Sequence, residues 1–219
     1  MDPALLSTAR STCYSAVVSD VCDALGMRNQ SLATEEIRPV WGDGHVVMGW
    51  ARTAVVIPVD RVRDQDNPYG QNIAYLDSLR ADDVCVLRSD SEVGVLGELY
   101  ATAALMRGAV GMLTDGVVRD RDRLAKVGLP VFARGMRPPD AMGRNDVDTM
   151  DTPIRMMGVE IKPGDFIVAD ADGIVVVPRE MTAEVLELAI NKAGTENKVR
   201  DHLRLGHTLG EAWVRYGVL

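Results

Sequence analysis

The stretch GELYATAALMRGAVGMLTDGVVRD, residues Gly97 to Asp120, decides how this chain is read. Its apolar spacing predicts a helix from about Glu98 to Arg107, then a short strand Val110 to Thr114. A tight turn at Asp115-Gly116 would deliver Arg119-Asp120 to the start of the next helix. An acid, a cation and a second acid thus gather around one strand end. In α/β folds such ends let backbone N–H groups, helix N-termini and reactive side chains converge on a small anion. A carboxylate beside a guanidinium suits a hard divalent cation plus an oxyanion: Asp120 can ligate Mg²⁺ through oxygen while Arg119 forks onto a carboxylate or enolate oxygen. The same pair also fits a plain structural role, a solvated charge plus an N-terminal acid favoured by the helix dipole. Both readings stand on the residues alone.

Outward from this stretch, Val110 to Ala133 alternates strand, helix and strand, the pattern of a parallel βαβ unit with the Arg-Asp pair on its crossover. Leu5 to Leu25 has helical spacing, with Gly26 as a left-handed stop. Gly44 to Val59 is rich in β-branched residues and predicts one or two strands with a bulge at Gly49. Ile73 to Leu79 suits a short helix and Asp83 to Leu87 a strand. Pro138 to Pro153 loses its hydrophobic period and predicts a surface loop. Ile154 to Ile161, Phe166 to Ala169 and Ile174 to Val177 read as short strands separated by Pro163-Gly164-Asp165 and Asp170-Ala171-Asp172-Gly173. These separators suit strand reversal better than phosphate or calcium binding. Arg179 to Leu205 predicts the longest helix, and Thr208 to Tyr216 another. No repeat or linker divides the chain, so residues 1–219 are expected to form one α/β domain with helical N- and C-terminal segments, the latter covering about 179–219.

Composition narrows the function classes. A net charge of −8 argues against a basic stripe for nucleic acid, and in the run Arg119, Arg121, Arg123 the cations are interrupted by Asp120 and Asp122. No stretch approaches the roughly 18 apolar residues of a membrane helix, and no signal-like N-terminus is present, so a cytoplasmic protein is expected. Cys13, Cys22 and Cys85 have no C-x-x-C spacing and read as small core residues of a reduced compartment. His45, His202 and His207 lack zinc-site spacing. There is no G-x-S-x-G elbow, and Ser19-Asp20 reads as a cap or packing pair near a helix start. No dinucleotide fingerprint precedes a helix. Lys126, Lys162, Lys192 and Lys198 all fall in loops or polar helices, which disfavours Schiff-base chemistry.

Five motifs, in order, carry a resemblance over almost the whole chain. They are Val17-Val18-Ser19-Asp20-Val21-Cys22-Asp23-Ala24-Leu25-Gly26, Gly97-Glu98-Leu99 with Asp115-Gly116-Val117-Val118-Arg119-Asp120, Leu129-Pro130-Val131-Phe132-Ala133-Arg134-Gly135, Lys162-Pro163-Gly164-Asp165, and Ala169-Asp170-Ala171-Asp172-Gly173 running to Pro178. The chain resembles the RraA-like family, which includes the 4-hydroxy-4-methyl-2-oxoglutarate aldolases and the regulators of ribonuclease E. The resemblance implies a three-layer β/β/α swivelling-domain core and a homotrimer, or a dimer of trimers, with active sites between subunits.

The resemblance also implies roles. Asp120 falls at the position that ligates Mg²⁺ or Mn²⁺, Glu98 at the one that holds metal-bound water, and Arg119 at the one that contacts the 2-oxo acid. The substrate carboxylate would take the backbone N–H groups of Leu99 and Tyr100, in the first turn of a helix. The aldolases draw a further glutamate from a neighbouring subunit's C-terminal helix, and Glu196 lies in the corresponding stretch, with Glu184 and Glu187 on the same helix. On this reading the chain is a class II aldolase that cleaves a C–C bond of a 4-hydroxy-2-oxo acid to release pyruvate or an analogue, with oxaloacetate decarboxylation as a side activity. Arg52, Tyr69, Asn72 and Arg144 are candidates for substrate selectivity. The alternatives are a non-catalytic binding protein of the ribonuclease-regulator type, or a related metal enzyme acting on a sugar-acid derivative.

Overall fold

A computed structural model describes residues 1–33, 36–41 and 44–218. In chain order the elements are α1 (Pro3–Thr12), α2 (Ser15–Ala24), β1 (Ser31–Ala33), β2 (Arg38–Pro39), β3 (Val47–Pro58), α3 (Gln71–Asp77), β4 (Asp83–Ser89), α4 (Glu98–Met106), β5 (Gly111–Val118), α5 (Arg121–Val127), β6 (Val131–Met136), β7 (Asn145–Met150), β8 (Ile154–Met156), β9 (Val159–Ile161), β10 (Phe166–Asp170), β11 (Gly173–Val177), α6 (Thr182–Arg204) and α7 (Leu209–Tyr216). Nine strands form one mixed sheet in the order β1-β11-β10-β3-β4-β5-β6-β2, with β7 also on β3. The central run β3-β4-β5-β6 is parallel, as the βαβ pattern predicts.

Strand periodicity sorts the core into layers. Val84 and Val86 join Leu113, Ile167 and Ile174 on one face, under Ile154, Met156, Val159 and Ile161 of the β8-β9 hairpin. Cys85 and Leu87 point the opposite way, into α3, α4 and α5 through Tyr75, Leu76, Ala101, Ala104 and Leu124. Met48, Phe166 and Val168 face α1, α2 and α6. Alternate residues on opposite faces therefore give a β/β/α stack, in line with the expected fold class.

Several expected elements are corrected. The helix expected over Leu5 to Leu25 is broken into α1 and α2 at Cys13-Tyr14, where Asp170 accepts the Ser15 N–H at 2.7 Å and its hydroxyl at 2.6 Å. Ser19 and Asp20 therefore lie inside α2 and do not cap it, and Asp20 pairs with Lys192 at 3.0 Å. The loop expected from Pro138 to Pro153 contains β7. The long strand β3 is covered by β10 only along residues 47–50, and the free edge from Ala54 to Pro58 pairs with β7. The register of β3 with β7 shifts between Val55 and Val56, where Asp148 is the extra residue on β7, and the bulge expected at Gly49 is not found there.

Gly49 serves a close approach. A Cβ there would overlap the Asp82 carbonyl oxygen and lie 2.6 Å from Val110 Cγ2, and both groups sit on connections that must cross this edge. Among the described residues, no helix is long and apolar enough to cross a membrane. Gly49→Ala is expected to lower stability by about 1–3 kcal/mol from overpacking. That exceeds the roughly 0.4–1 kcal/mol gained from a stiffer unfolded chain. Urea denaturation should show the shift in midpoint, and an unchanged midpoint would mean that the backbone yields at no cost.

Candidate active site

The Asp115-Gly116 pair is not a turn. It lies within β5, where Thr114 faces Ala133 and Val117 faces Gly135, so three steps on β5 match two on β6. The extra residue makes a bulge, held by the Asp115 carboxylate accepting the Ser89 N–H at 2.6 Å and by the Gly116 N–H donating to Thr114 Oγ1 at 2.9 Å. Gly116 has no room for a side chain, since a Cβ would lie 3.0 Å from Ser89 Cβ. The strand resumes after the bulge and ends beside the segment before α4: Val95 N–H donates to Val117 O at 2.9 Å and Arg119 N–H to Leu96 O at 3.0 Å.

Asp120 follows in the left-handed region, with φ 64°, an uncommon conformation for any residue but glycine, which asparagine and aspartate tolerate best. The turn aims its carboxylate back at α4, where Oδ2 accepts the Glu98 N–H at 3.2 Å. Leu99 and Tyr100 lie in the same first turn, so their amides have no carbonyl partner within the helix. Gly97 makes this contact possible: a Cβ there would lie 2.5 Å from Asp120 Oδ2 and 3.0 Å from Arg119 Cγ. The Thr102 hydroxyl donates to the Glu98 carbonyl at 2.9 Å and lies 3.3 Å from Glu98 Oε1.

Arg119 lies between two acids. Its Nε is 3.4 Å from Asp120 Oδ2, and its Nη1 donates to Asp140 Oδ1 at 2.9 Å. The Tyr69 hydroxyl donates to Asp140 Oδ2 at 3.0 Å, and this bond is the main cause that raises the Tyr69 pKa. Tyr100 stands edge-on to Tyr69, its hydroxyl buried without a hydrogen-bond partner, and burial pushes its pKa up. Both phenols are therefore protonated at neutral pH. Together with Glu98, Leu99, Arg119, Asp120 and Asp140, these tyrosines line a cavity of about 480 Å³.

The sequence-predicted residues Glu98, Leu99, Tyr100, Arg119 and Asp120 thus share one cavity, and Glu196 does not line it. Within the protomer the Tyr14 hydroxyl donates to Glu196, and Lys192 lies 3.8 Å from it. Of the selectivity candidates only Tyr69 reaches the cavity. Arg52 pairs with Asp151 at 3.1 Å, Asn72 is buried against the Tyr69 carbonyl, and Arg144 donates to the Asp140 carbonyl. Asp140 was missed, because in sequence it follows two prolines in a segment without period, and only the fold brings it to Arg119.

The residues present fit a hard cation. Three carboxylates line the cavity against the guanidiniums of Arg119 and Arg123, and all three cysteines are buried in the core. No group of three or more His, Cys, Asp or Glu suited to a metal occurs among the described residues. A magnesium ion keeps most of its waters and takes one or two protein carboxylates. Asp120 would be its ligand, with Glu98 behind it.

The fold therefore sets one Arg-Asp pair at a strand end, facing a helix N-terminus, on a β/β/α stack. The RraA-like family (Aldolase/RraA) matches residues 18–176, and the chain belongs to that family. A Legionella pneumophila protein, DlpA, is 30% identical over 203 residues, 91% of this chain, yet the chain spans only 32% of DlpA. A Halalkalibacterium halodurans protein, provisionally named a 4-hydroxy-4-methyl-2-oxoglutarate aldolase, is 31% identical over 180 residues, 80% of this chain and 77% of its own length. Among solved structures, Streptomyces coelicolor RraAS2, described as an unusual member of the RNase ES inhibitor RraA protein family, superposes with a TM-score of 0.75 at 27% identity, covering 91% of this chain and 97% of that one.

Gly97→Ala tests the cradle. At φ −145° the backbone itself accepts alanine, so any fall in the melting midpoint should reflect only the displaced Asp120 and Arg119 side chains. Displacing the Asp120 carboxylate should weaken Mn²⁺ binding by about 10–100-fold, the usual cost of disturbing a group that orients a ligand. Unaltered Mn²⁺ titration would move the cation site away from Asp120.

Proposed function

We propose that this chain is a divalent-cation-dependent lyase that splits a 4-hydroxy-2-oxo acid into pyruvate, or a close analogue, and a carbonyl product. The observation that carries this reading is the convergence of Arg119, Asp120 and the first-turn amides of α4 on one cavity. The provisional name of the Halalkalibacterium halodurans relative supports it.

A Mg²⁺ or Mn²⁺ ion on Asp120 would supply Lewis acidity toward the 2-oxo acid. The chain's own groups account for the rest. The Leu99 and Tyr100 amides bind the substrate carboxylate at the helix N-terminus. As the C3–C4 bond breaks, its electron pair passes into an enolate, whose oxygen the Arg119 fork stabilises. Glu98 takes up the 4-hydroxyl proton while that carbon becomes the carbonyl product, and the proton then returns to the enolate carbon. Protonation of the enolate then gives pyruvate. The same enolate arises when oxaloacetate loses carbon dioxide, so decarboxylation accompanies the main reaction.

Pyruvate release over a panel of 4-hydroxy-2-oxo acids, sugar-acid derivatives and oxaloacetate is the deciding experiment. Release is expected with Mg²⁺ or Mn²⁺ and is expected to vanish in excess chelator. Chelator-resistant release would refute the cation-dependent route. No release from any member would favour a binding protein, a reading supported by the likeness to RraAS2.

The proposal includes a homotrimer, alone or stacked in pairs, with Glu196 from one subunit completing the neighbouring site. Asp120→Ala and Glu196→Ala, each inactive alone, should then recover partial activity when mixed and reassembled. Mixed oligomers of verified subunit exchange that stay inactive would show that the site is not shared.

A further inference from the structure

Asp140 has no part in the chemistry above, yet both of its oxygens are committed inside the cavity, Oδ1 to Arg119 Nη1 at 2.9 Å and Oδ2 to the Tyr69 hydroxyl at 3.0 Å. Each oxygen thus accepts one bond from a side chain that lines the cavity. The segment that carries it is bolted in place. Arg137 N–H donates to Val118 O at 2.9 Å, Gly94 N–H to Pro139 O at 3.3 Å, and Arg144 N–H to Ala141 O at 2.8 Å. The Arg144 guanidinium also donates to the Asp140 carbonyl at 3.3 Å. At Gly94 a Cβ would lie 3.3 Å from both Pro139 O and Arg119 Cδ, so the segment, the strand end and the arginine chain are packed in one layer.

By contrast, Arg119 is a long chain about a third exposed, and its other acidic contact, at 3.4 Å, is the longer of the two. A guanidinium carries five N–H donors, so fixing Nε and one hydrogen of Nη1 leaves three to face a ligand. Tyr69 has a single proton and gives it to Asp140. Its oxygen therefore presents lone pairs to the cavity, and the charge behind the O–H polarises it into a better acceptor.

Resting on the lyase reading, we propose that Asp140 is a positioning residue that couples the two ends of the site. It fixes the Arg119 fork at the oxo-acid end and, by taking the Tyr69 proton, makes the Tyr69 oxygen the acceptor that holds the substrate's 4-hydroxyl group on binding, before the hydroxyl turns its proton toward Glu98. Tyr69 thereby selects hydroxylated substrates over those, such as oxaloacetate, that lack the hydroxyl.

The test compares the full-length wild type with Asp140→Ala, Asp140→Asn and Tyr69→Phe on a 4-hydroxy-2-oxo acid and on oxaloacetate. Asp140→Ala is expected to lower kcat on both substrates by about 10²-fold, the scale of a misplaced catalytic group. Asn keeps an acceptor for Arg119 but offers Tyr69 a donor. Asp140→Asn should therefore recover most of the oxaloacetate rate and little of the hydroxy-acid rate. Tyr69→Phe should cut kcat/KM for the hydroxy acid about tenfold more than for oxaloacetate, on the scale of one lost hydrogen bond. Equal losses on both substrates in Tyr69→Phe, or Asn no better than Ala at an unchanged melting midpoint, would overturn the proposal.

If the wild type turns over neither substrate, the lyase reading fails, and the Arg119 Nε–H NMR signal still decides the role of Asp140. A resolved signal kept in Asp140→Asn and lost to averaging in Asp140→Ala would uphold the positioning role. The same signal in all three proteins would refute it.

Discussion

The hydrogen bond from the Glu98 amide to the Asp120 carboxylate joins the end of β5 to the start of α4 across 22 residues of sequence, and the cavity depends on it. Each partner is set by a local constraint. Asp120 can turn back only because it takes the left-handed conformation, and α4 can approach only because Gly97 has no side chain. With these two ends joined, unpaired amides, a carboxylate and a guanidinium face one space. That space is where charge developing on a substrate oxygen would be met by donors already oriented.

The electrostatics of the cavity follow from the same geometry. Carboxylates outnumber guanidiniums, which leaves the space unfavourable to an anion unless a cation neutralises Asp120. Arg119 is held by acids on two sides and cannot swing away to solvent without giving up its contacts to both. The tyrosines add bulk and polarity without charge, since hydrogen bonding in one case and burial in the other keep them protonated. The cavity thus combines charged groups at the β5 end and α4 with two neutral phenols, one of them on α4 itself.

Much of this could be read in the chain. The short apolar runs of β4 and β5, the helical spacing after Glu98, and the compact Arg119-Asp120 pair report short-range preferences that survive folding. Misreadings arose where a local signal had a tertiary competitor. Asp115-Gly116 has turn chemistry, but pairing on both sides of β5 turns it into a bulge. Asn145 to Met150 lacks strand periodicity, yet the free edge of β3 makes it a strand. Leu5 to Leu25 has one helical period, but capping of Ser15 by Asp170 splits it.

By itself the sequence indicated the parallel βαβ unit and the nearness of Glu98, Arg119 and Asp120, because these lie on one continuous segment whose spacing constrains where they go, whereas Leu99 and Tyr100 were singled out only through the family resemblance. Only the tertiary structure decided that Asp140 and Tyr69 belong to the same site. They are 71 residues apart and come from separate connections, and a carboxylate of ordinary sequence context acquires its role from the guanidinium and phenol that packing sets against it.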